Sequence, residues 1–321
     1  MQNPTDPFPC AAYIREIGRG ARGGRDLSRE QAQTLYGAIL AGSVSDLELG
    51  AVLLAYRIKG ESAQELAGML DAVHATIGPL RGPGPTPVLI PSYNGARRRP
   101  NLVPLLAMLL ARQGAPVLIH GVLSDPGRVT TAEILARMGV EPALDAAGIE
   151  RSLDKSRLAF APIDTLAPAL ARQLSLRAPL GVRNSAHTLA KMLQPFGRPA
   201  LRLVNYTHAA YRDTLAECFA LPGAAGPAGV LLSRGTEGEA VADAALPREA
   251  LWLHEAGSEI LIPAADKGLR ATPPLPESLD AGATAEWIAA VLAGAIQTPP
   301  AIAAQVEAIT GITASGLPAA G

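Results

Sequence analysis

The sequence predicts an α/β protein: a small N-terminal helical bundle followed by a larger domain with a mostly parallel central sheet. Residues 10–80 hold three helix-start patterns, each followed by an apolar run of helical period. From residue 88 onward, short apolar runs of strand length alternate with segments of helical length. The segment Arg81–Pro87 lies between the two regions, and its proline and glycine content is typical of a linker.

Three capping boxes mark helix starts in the first region, at Ser28–Gln31, Ser45–Glu48 and Ser62–Glu65. In a capping box the serine accepts an N–H bond from the third helical residue, whose side chain accepts a bond in return. The glycine-rich segment Gly18–Gly24 interrupts the chain between the first and second helices. These patterns predict a helical domain over residues 1–80.

The second region has the alternation of strands and helices that builds a parallel sheet covered by helices on its faces. We predict strands at Val88–Ile90, Val117–Ile119, Leu201–Val204 and Val230–Leu232, and helices at Leu102–Arg112, Val129–Met138 and Ala301–Ile312. The α/β domain is expected to span residues 81–321, with part of residues 151–200 packed on the helical domain.

Composition narrows the class of protein. Hydrophobic residues make up 48% of the chain and charged residues 18%, which excludes wholesale disorder. The two cysteines, Cys10 and Cys218, do not form a disulfide framework, which favours a reducing compartment. The first residues lack the features of a signal peptide, and the longest apolar stretches are too short to span a bilayer. We expect a soluble cytoplasmic protein.

The net charge of −1 hides a strong asymmetry. Residues 151–202 contain nine Lys and Arg against two Asp, whereas residues 203–321 contain five against thirteen acidic residues. Such a local excess creates its own field, because salt screens distant charges. Most of the basic residues are arginines, whose planar fork suits phosphate and carboxylate recognition. A GC-rich genome that prefers arginine codons is the alternative explanation of the arginine excess, although not of its clustering.

Charged loops follow the predicted strands, where ligands bind in parallel sheets. Arg97, Arg98 and Arg99 follow the first strand and precede a helix, which makes an anion site or, alternatively, a solvated turn. His120 ends the second strand, and we interpret it as structural because no Cys, Glu or Lys lies beside it. Three acidic residues follow a later strand, Glu237, Glu239 and Asp243, and are interpreted either as paired carboxylates that bind magnesium or as an acidic surface turn.

Two further basic segments are candidates for phosphate contact. Four arginines are interspersed with glycines here, namely Arg15, Arg19, Arg22 and Arg25, which suits a loop that follows phosphates and equally suits a solvated loop. His187 and Lys191 are four residues apart and are expected to share a helix face, without an obvious third metal ligand nearby. The sequence contains no Walker-A lysine, zinc-type cysteine cluster or nucleophile elbow.

Taken together, these segments resemble the anthranilate phosphoribosyltransferases and the related class-II nucleoside phosphorylases over nearly the whole chain. Leu180–Pro195 is similar to the family segment LGxRTxFNxLGPLxNP, with Leu-Gly, Arg183 and the last proline kept. Phe160–Pro162 and Ala167–Leu170 resemble the family's FAP and HPAM. The resemblance implies that Arg177 occupies the position of the arginine associated with the carboxylate of the aromatic acid.

The catalytic motifs of that family are replaced. The pyrophosphate loop GTGGD reads Ser92–Ala96, and KHGNR reads Ile119–Leu123, without its lysine, asparagine and arginine. The acidic pair that holds magnesium in the family is displaced to Glu237 and Glu239. The resemblance therefore implies a vestigial ligand pocket, with no catalytic residue and no cofactor or metal. Its expected members are Asn94, Gly95, Asn101, His120, Gly121 and Asn184.

The replacement motifs IPSYNGAR, LGVRNSAHTLAK and GTEGE resemble the YbiB family, a branch of the same fold, as do Glu16–Leu27 and Asp46–Glu61. That resemblance implies binding of DNA or RNA phosphates, with low sequence specificity, in a basic groove of a homodimer paired through the helical domains. The expected contacts are Arg15, Arg19, Arg22, Arg97, Arg98, Arg99, Arg177, Arg183 and Lys191. The alternative is an active phosphoribosyltransferase with an altered substrate, which requires Mg²⁺.

Overall fold

A computed structural model describes residues 8–20, 22–266 and 273–314. The chain divides into two compact units. The helical unit comprises Met1–Gly78 and Ala167–Leu193, and the α/β unit comprises Pro79–Leu166 and Gln194–Gly321. The division between the units thus falls between Gly78 and Pro79, and Ala167–Leu193 is the later stretch of the chain that belongs to the helical unit.

Fourteen helices and seven strands are present among the described residues. The helices are α1 Cys10–Ile17, α2 Arg29–Leu40, α3 Asp46–Lys59, α4 Ala63–His74, α5 Val103–Arg112, α6 Thr131–Arg137, α7 Ala146–Ser156, α8 Ile163–Leu166, α9 Pro168–Ser175, α10 Arg177–Leu180, α11 Ala186–Leu189, α12 Ala209–Ala220, α13 Ala281–Leu292 and α14 Pro300–Ala314. The strands are β1 Val88–Ser92, β2 Val117–Gly121, β3 Leu158–Pro162, β4 Leu201–Tyr206, β5 Val230–Arg234, β6 Ala250–His254 and β7 Gly257–Ile262.

The strands form one sheet of order β3-β2-β1-β4-β5-β6-β7. The first five in that order pair in parallel, and β6 and β7 add an antiparallel edge. This confirms the predicted helical bundle followed by a mostly parallel sheet. Ser92 pairs with Gly121 at the ends of β1 and β2, so the loops after these strands leave the same edge of the sheet.

The three predicted capping boxes are formed, with both reciprocal bonds present at each of Ser28, Ser45 and Ser62. The third box also serves tertiary structure. The fully buried Glu65 carboxylate accepts bonds from the backbone N–H groups of Ser62 and Leu27 and from the Lys59 ammonium, at 2.8 to 2.9 Å. A buried carboxylate needs such partners, so Glu65 fixes the loop that enters α2 against the start of α4.

Strands β3, β6 and β7 were not predicted. β3 has the sequence LAFAP, whose alanines and proline give no β-branched signal, and it is identified as a strand only by its pairing with β2. β6 and β7 lie at the antiparallel edge, where burial is partial and the apolar run is interrupted. Among the described residues, no helix is both long and apolar enough to cross a membrane.

Helices α2 and α4 pack closely because α4 carries Gly68 at the point of contact. A Cβ atom at Gly68 would lie 2.0 Å from the carbonyl oxygen of Arg29. The Arg29 guanidinium pairs with Asp71 across the same contact, at 2.6 Å. A larger residue at position 68 therefore has to push the two helices apart.

We expect Gly68→Ala to lower the free energy of unfolding by about 1–3 kcal/mol, because overpacking at a helix contact forces backbone shifts. Gly37→Ala in α2 is the matched control, since a Cβ there meets nothing within 4 Å. This control should raise stability by about 0.5–1 kcal/mol through helix propensity alone. Urea unfolding followed by far-UV circular dichroism measures both, and equal effects would contradict the close contact.

Candidate functional site

The loop after β1 is held by the turn after β5. One carboxylate oxygen of Glu239 accepts the backbone N–H groups of Asn94 and Gly95, at 2.8 and 2.7 Å. The two oxygens of Glu237 accept the N–H groups of Arg97 and Arg98, at 3.0 and 2.8 Å. Four backbone donors within five residues are thereby satisfied by two carboxylates of the same chain.

Side chains from neighbouring strand ends clamp this turn. The amide groups of Asn94 and Asn205 both donate to the carbonyl oxygen of Gly238, at 2.7 and 2.6 Å. A Cβ at Gly238 would lie 2.3 Å from the Asn94 amide nitrogen, so only glycine fits there. The Arg128 guanidinium lies 3.8 Å from Glu237 and donates to the Gly95 carbonyl at 3.2 Å. We call Asn94–Arg98 the amide loop and Thr236–Glu239 the acidic turn.

The acidic turn does not fit a magnesium site as folded. Mg²⁺ requires oxygen ligands in near-octahedral geometry. Both Glu237 oxygens and one Glu239 oxygen are instead directed at N–H donors. Among the described residues, no group of three or more His, Cys, Asp and Glu side chains is arranged to hold a metal ion. The metal interpretation does not fit, because these oxygens already accept N–H bonds. The interpretation as an exposed surface turn does not fit either, because Glu239 is buried.

The remaining expected members of the vestigial pocket are buried and bonded internally. Asn101 and Ser92 both donate to the hydroxyl of Thr131, at 3.1 and 2.7 Å. His120 is hydrogen-bonded through Nδ1 to the Tyr93 hydroxyl at 2.7 Å. A Cβ at Gly121 would lie 1.8 Å from the Ser92 carbonyl oxygen. Together with Asn94 and Gly95, these residues line the carboxyl edge of the sheet.

Asn184 is the one expected pocket residue that belongs to the helical unit. It donates to the carbonyl oxygen of Gln173 at 2.8 Å and accepts the N–H of Ala186 at 3.0 Å. Its role within that unit is to start α11 and to tie it to α9. Two residues of the site, Asn205 and Arg128, were not predicted from the sequence. Asn205 could have been found by its position near the end of β4, the strand that pairs with β1.

The three consecutive arginines of the strand-end loop differ in their surroundings. Arg97 and Arg98 have exposed side chains, and their backbone N–H groups are held by Glu237. Arg99 is half-buried and pairs with Asp243 at 3.1 Å. The loop therefore presents two guanidinium groups to solvent from a fixed backbone, while the third guanidinium serves the fold.

The helical unit carries a second cationic group, around His187. The pKa of His187 is lowered to about 4, mainly by burial and also by the positive charges of Arg183, Arg177 and Lys191. Helix α11 ends at Leu189, so the prediction that His187 and Lys191 share a helix face is wrong, although Lys191 remains close enough to act on the imidazole. We call Arg177, Arg183 and Lys191 the helical-unit cations.

Three arginines of the basic segment 151–202 are bonded to backbone carbonyl groups. Arg172 donates to the Leu40 carbonyl, Arg198 to the Gly82 and Gly84 carbonyls, and the buried Arg202 to Ala224 and Ala225. These three guanidinium groups stabilise chain connections. Residues 167–193, which belong to the helical unit, nevertheless contain four basic residues and no acidic one.

The glycine-rich segment after α1 is only partly available. Arg19 donates to the Arg15 carbonyl at 2.8 Å and lies 3.8 Å from Glu16, which also faces Arg25 at 3.5 Å. Arg15 and Arg22 are exposed. Ala21 lies outside the described residues, and the contact expected of this segment stays a prediction.

This architecture is the fold of the anthranilate phosphoribosyltransferases. The enzyme from Thermus thermophilus superposes with a TM-score of 0.71 over 95% of this chain and 89% of that chain, at 21% identity. The Saccharomyces cerevisiae enzyme in complex with PRPP and Mg superposes with a TM-score of 0.68 at 14% identity, over 96% and 94% of the two chains. Residues 11–76 match the helical bundle domain of the glycosyl transferase family.

Sequence similarity identifies the branch of this fold. YbiB of Escherichia coli strain K12 is 41% identical over 296 residues, which cover 91% of each chain. The chain therefore belongs to the YbiB family. An anthranilate phosphoribosyltransferase of Methylobacterium radiotolerans is 30% identical over 178 residues, 56% of this chain and 50% of that enzyme. The Escherichia coli relative is an uncharacterized protein. Its similarity therefore establishes the family of this chain but no activity.

Burial of His120 gives a prediction about pH. Burial lowers its pKa to about 3, below the ordinary 6.5, so the unfolded chain takes up the proton first. The contribution of the buried neutral imidazole to the stability of the fold is complete above pH 6.5. It is lost as the pH falls towards 3. Between pH 6.5 and about pH 5 we expect the α/β unit to lose about 1–2 kcal/mol because of this residue.

Tryptophan fluorescence during urea unfolding measures this loss, because both tryptophans, Trp252 and Trp287, lie in the α/β unit. His120→Asn should flatten the dependence of stability on pH over this range. His208→Asn, at an exposed position before α12, is the control and should leave it unchanged. If the wild type and His120→Asn lose stability in parallel, burial of a neutral imidazole is not the cause.

Proposed function

We propose that this protein binds nucleic acid through its phosphates, with little sequence preference, and does not transfer phosphoribose. The observation that carries the proposal is the state of the amide loop. Its backbone donors are bonded to Glu237 and Glu239, while the side chains of Arg97 and Arg98 point into solvent from the same residues. At this edge of the sheet, phosphates would therefore be contacted by the side chains of Arg97 and Arg98 and not by backbone N–H groups.

The chemistry of phosphoribosyl transfer supports the second half of the proposal. A bound diphosphate needs close backbone N–H groups, a metal ion and cations. In this chain the N–H groups of the amide loop already have acceptors, and Ile119 stands where the related enzymes have a lysine. Because both carboxylates are negative, a diphosphate would meet repulsion as well as occupied donors.

The helical unit supplies further cations of the same kind. Arg177 and Arg183 are exposed, and Lys191 is half-buried, in a stretch of the unit without acidic residues. Exposed guanidinium groups contact phosphates of any base sequence, because phosphates carry no base information. Only six tyrosines, four phenylalanines and two tryptophans occur in the chain, so base stacking is a minor contribution.

We further propose that two copies pair through the helical unit. Helix α3 exposes Leu47, Leu54 and Ile58, with exposed fractions of 85%, 44% and 61%. Their spacing of seven and four residues puts them on one side of the helix. An exposed apolar stripe of this kind is typical of an interface. Its symmetric partner would be the same stripe on a second copy.

Binding of a labelled duplex, followed by fluorescence anisotropy from about 50 to 200 mM salt, tests the nucleic-acid proposal. If a dimer neutralises about six phosphates, log K should fall with log[salt] with a slope near −5, at about −0.9 per phosphate. The double variant Arg97→Ala/Arg98→Ala should reduce the magnitude of the slope by about 0.9 for each phosphate that it leaves without a cation. It should weaken binding to unrelated sequences and to RNA equally.

Arg81→Ala/Arg212→Ala is the matched control. It removes the same positive charge from guanidinium groups that are already paired with Glu150 and Glu249. It should therefore change the slope little. Equal effects of the two double variants would mean that binding depends on net charge alone and not on Arg97 and Arg98. Absence of binding by the wild type at about 50 mM salt would refute the proposal. The same preparation should release no diphosphate from phosphoribosyl pyrophosphate and anthranilate.

Leu54→Asp should convert the dimer to a monomer, because a carboxylate in the centre of the apolar stripe would be buried without a partner. Sedimentation velocity at micromolar concentration measures the change in mass. Leu144→Asp is the control, since Leu144 is 74% exposed but belongs to the α/β unit and not to α3. A monomeric wild type, or dimers of both variants, would contradict pairing through α3.

A further inference from the structure

We propose that strand β7 is a docking edge for an extended peptide that alternates basic and apolar residues. The sheet ends at β7, and the first four residues of this strand, residues 257–260, are exposed. An edge strand of this kind can bind a further strand through its backbone N–H and C=O groups. The proposal concerns a peptide partner, and it stands whether or not nucleic acid binds elsewhere on the protein.

The two edges of the sheet differ in how they are covered. At the β3 edge all five residues of the strand are buried, and the N–H of Ala143 donates to the carbonyl oxygen of Phe160 at 2.8 Å. At the β7 edge, the described part of the chain contributes no further strand. Of the two edges, β7 is therefore the one that offers its backbone groups for pairing.

Strand β7 is a fixed template with a defined pairing side. Its last residue, Ile262, belongs to the hydrophobic core and anchors the strand. His254 and Gly257 flank the two-residue turn of the β6–β7 hairpin, and in such a hairpin this pair bonds inward. Alternation along the strand then directs the N–H and C=O groups of Ser258 and Ile260 away from β6. A peptide would meet donors and acceptors that are already in extended geometry.

The side chains of β7 specify the chemistry of the partner. Ile260 is 54% exposed on one face of the strand, and Glu259 is exposed on the opposite face, because successive side chains alternate. The β6–β7 hairpin, residues 250–262, contains a second exposed glutamate, Glu255, and no Lys or Arg. A partner strand with apolar residues on the Ile260 face and basic residues on the Glu259 face complements both.

Charge argues against a second copy of this chain as the occupant. Antiparallel pairing of β7 with the β7 of another copy would oppose two acidic strands, and like charges opposite each other destabilise a strand pair. Opposite charges in the same positions stabilise the pair. The acidic edge thereby disfavours self-association of β7 and favours a basic strand.

Isothermal titration calorimetry with a capped heptapeptide of alternating Lys and Val tests the proposal. We expect saturable binding to the wild type at low ionic strength, with a Kd of about 0.1 mM or below. The fully N-methylated form of this peptide carries the same charge but donates no backbone N–H bonds. It should bind about tenfold more weakly or less. A heptapeptide of alternating Glu and Val should not bind, because its charge has the sign of the edge.

Ser258→Pro removes an outward N–H group from β7 and should weaken binding of the Lys-Val peptide about tenfold or more. Proline is tolerated on an edge strand where the missing N–H would face solvent. Ser258→Thr keeps the N–H group and is the matched control, so it should bind the peptide as the wild type does. Far-UV circular dichroism checks that both variants are folded.

Glu255→Gln/Glu259→Gln should weaken binding of the Lys-Val peptide about twofold to fivefold, because exposed charge pairs contribute modestly. Glu277→Gln/Glu286→Gln removes the same charge from exposed positions of the α/β unit outside the hairpin and should change binding little. Equal losses in the two double variants would contradict recognition of basic residues by the hairpin.

Three further results would overturn the proposal. The first is a wild type that does not bind the Lys-Val peptide, and the second is equal binding of this peptide and its N-methylated form. The third is a folded Ser258→Pro variant that binds as tightly as Ser258→Thr. If Ser258→Pro does not fold, the comparison of the two peptides on the wild type decides. Arg97→Ala/Arg98→Ala should leave peptide binding unchanged, so failure of this proposal and failure of the proposed function are distinguishable.

Discussion

Two carboxylates bonded to four backbone N–H groups join the loop after β1 to the turn after β5. Backbone donors need acceptors above all where they are buried, as those of Asn94 and Gly95 are. Here the acceptors come from a residue 1% exposed, Glu239, and from the left-handed Glu237. Other features of this edge follow from that contact, including the clamp on Gly238 and the outward course of the arginine side chains.

The chain shares its fold with enzymes. The yeast anthranilate phosphoribosyltransferase was solved with PRPP and Mg, and its backbone superposes on this chain with a TM-score of 0.68. A shared backbone does not establish a shared activity, because function lies in the groups at the site. In this chain the donors of the amide loop are bonded internally, and the cations lie on side chains. That arrangement is the reason why we propose contact with a surface of phosphates and not enclosure of one small substrate.

Net charge is a poor guide to such a surface. The chain totals −1, and its most basic segment, residues 151–202, is divided between two structural units. Part of its arginine content serves the fold: Arg202 is buried against the carbonyls of Ala224 and Ala225, next to the ring of Phe219. Desolvation lowers the pKa of Arg202 to about 10. Under the proposed function, the cations that contact phosphate must be exposed, and Arg97, Arg98, Arg177 and Arg183 are exposed.

The sequence by itself determined the helical bundle, the parallel strands and the family, because capping boxes, apolar runs and contiguous motifs are local patterns. It also identified two separate candidate sites, the loop of Arg97–Arg99 and the pair Glu237 and Glu239. Only tertiary structure joined them, since the partners lie about 140 residues apart in the chain. Tertiary structure likewise identified β3 as a strand and paired Arg99 with Asp243. Hydrogen bonds and ion pairs between distant segments depend on strand order, and local sequence does not encode that order.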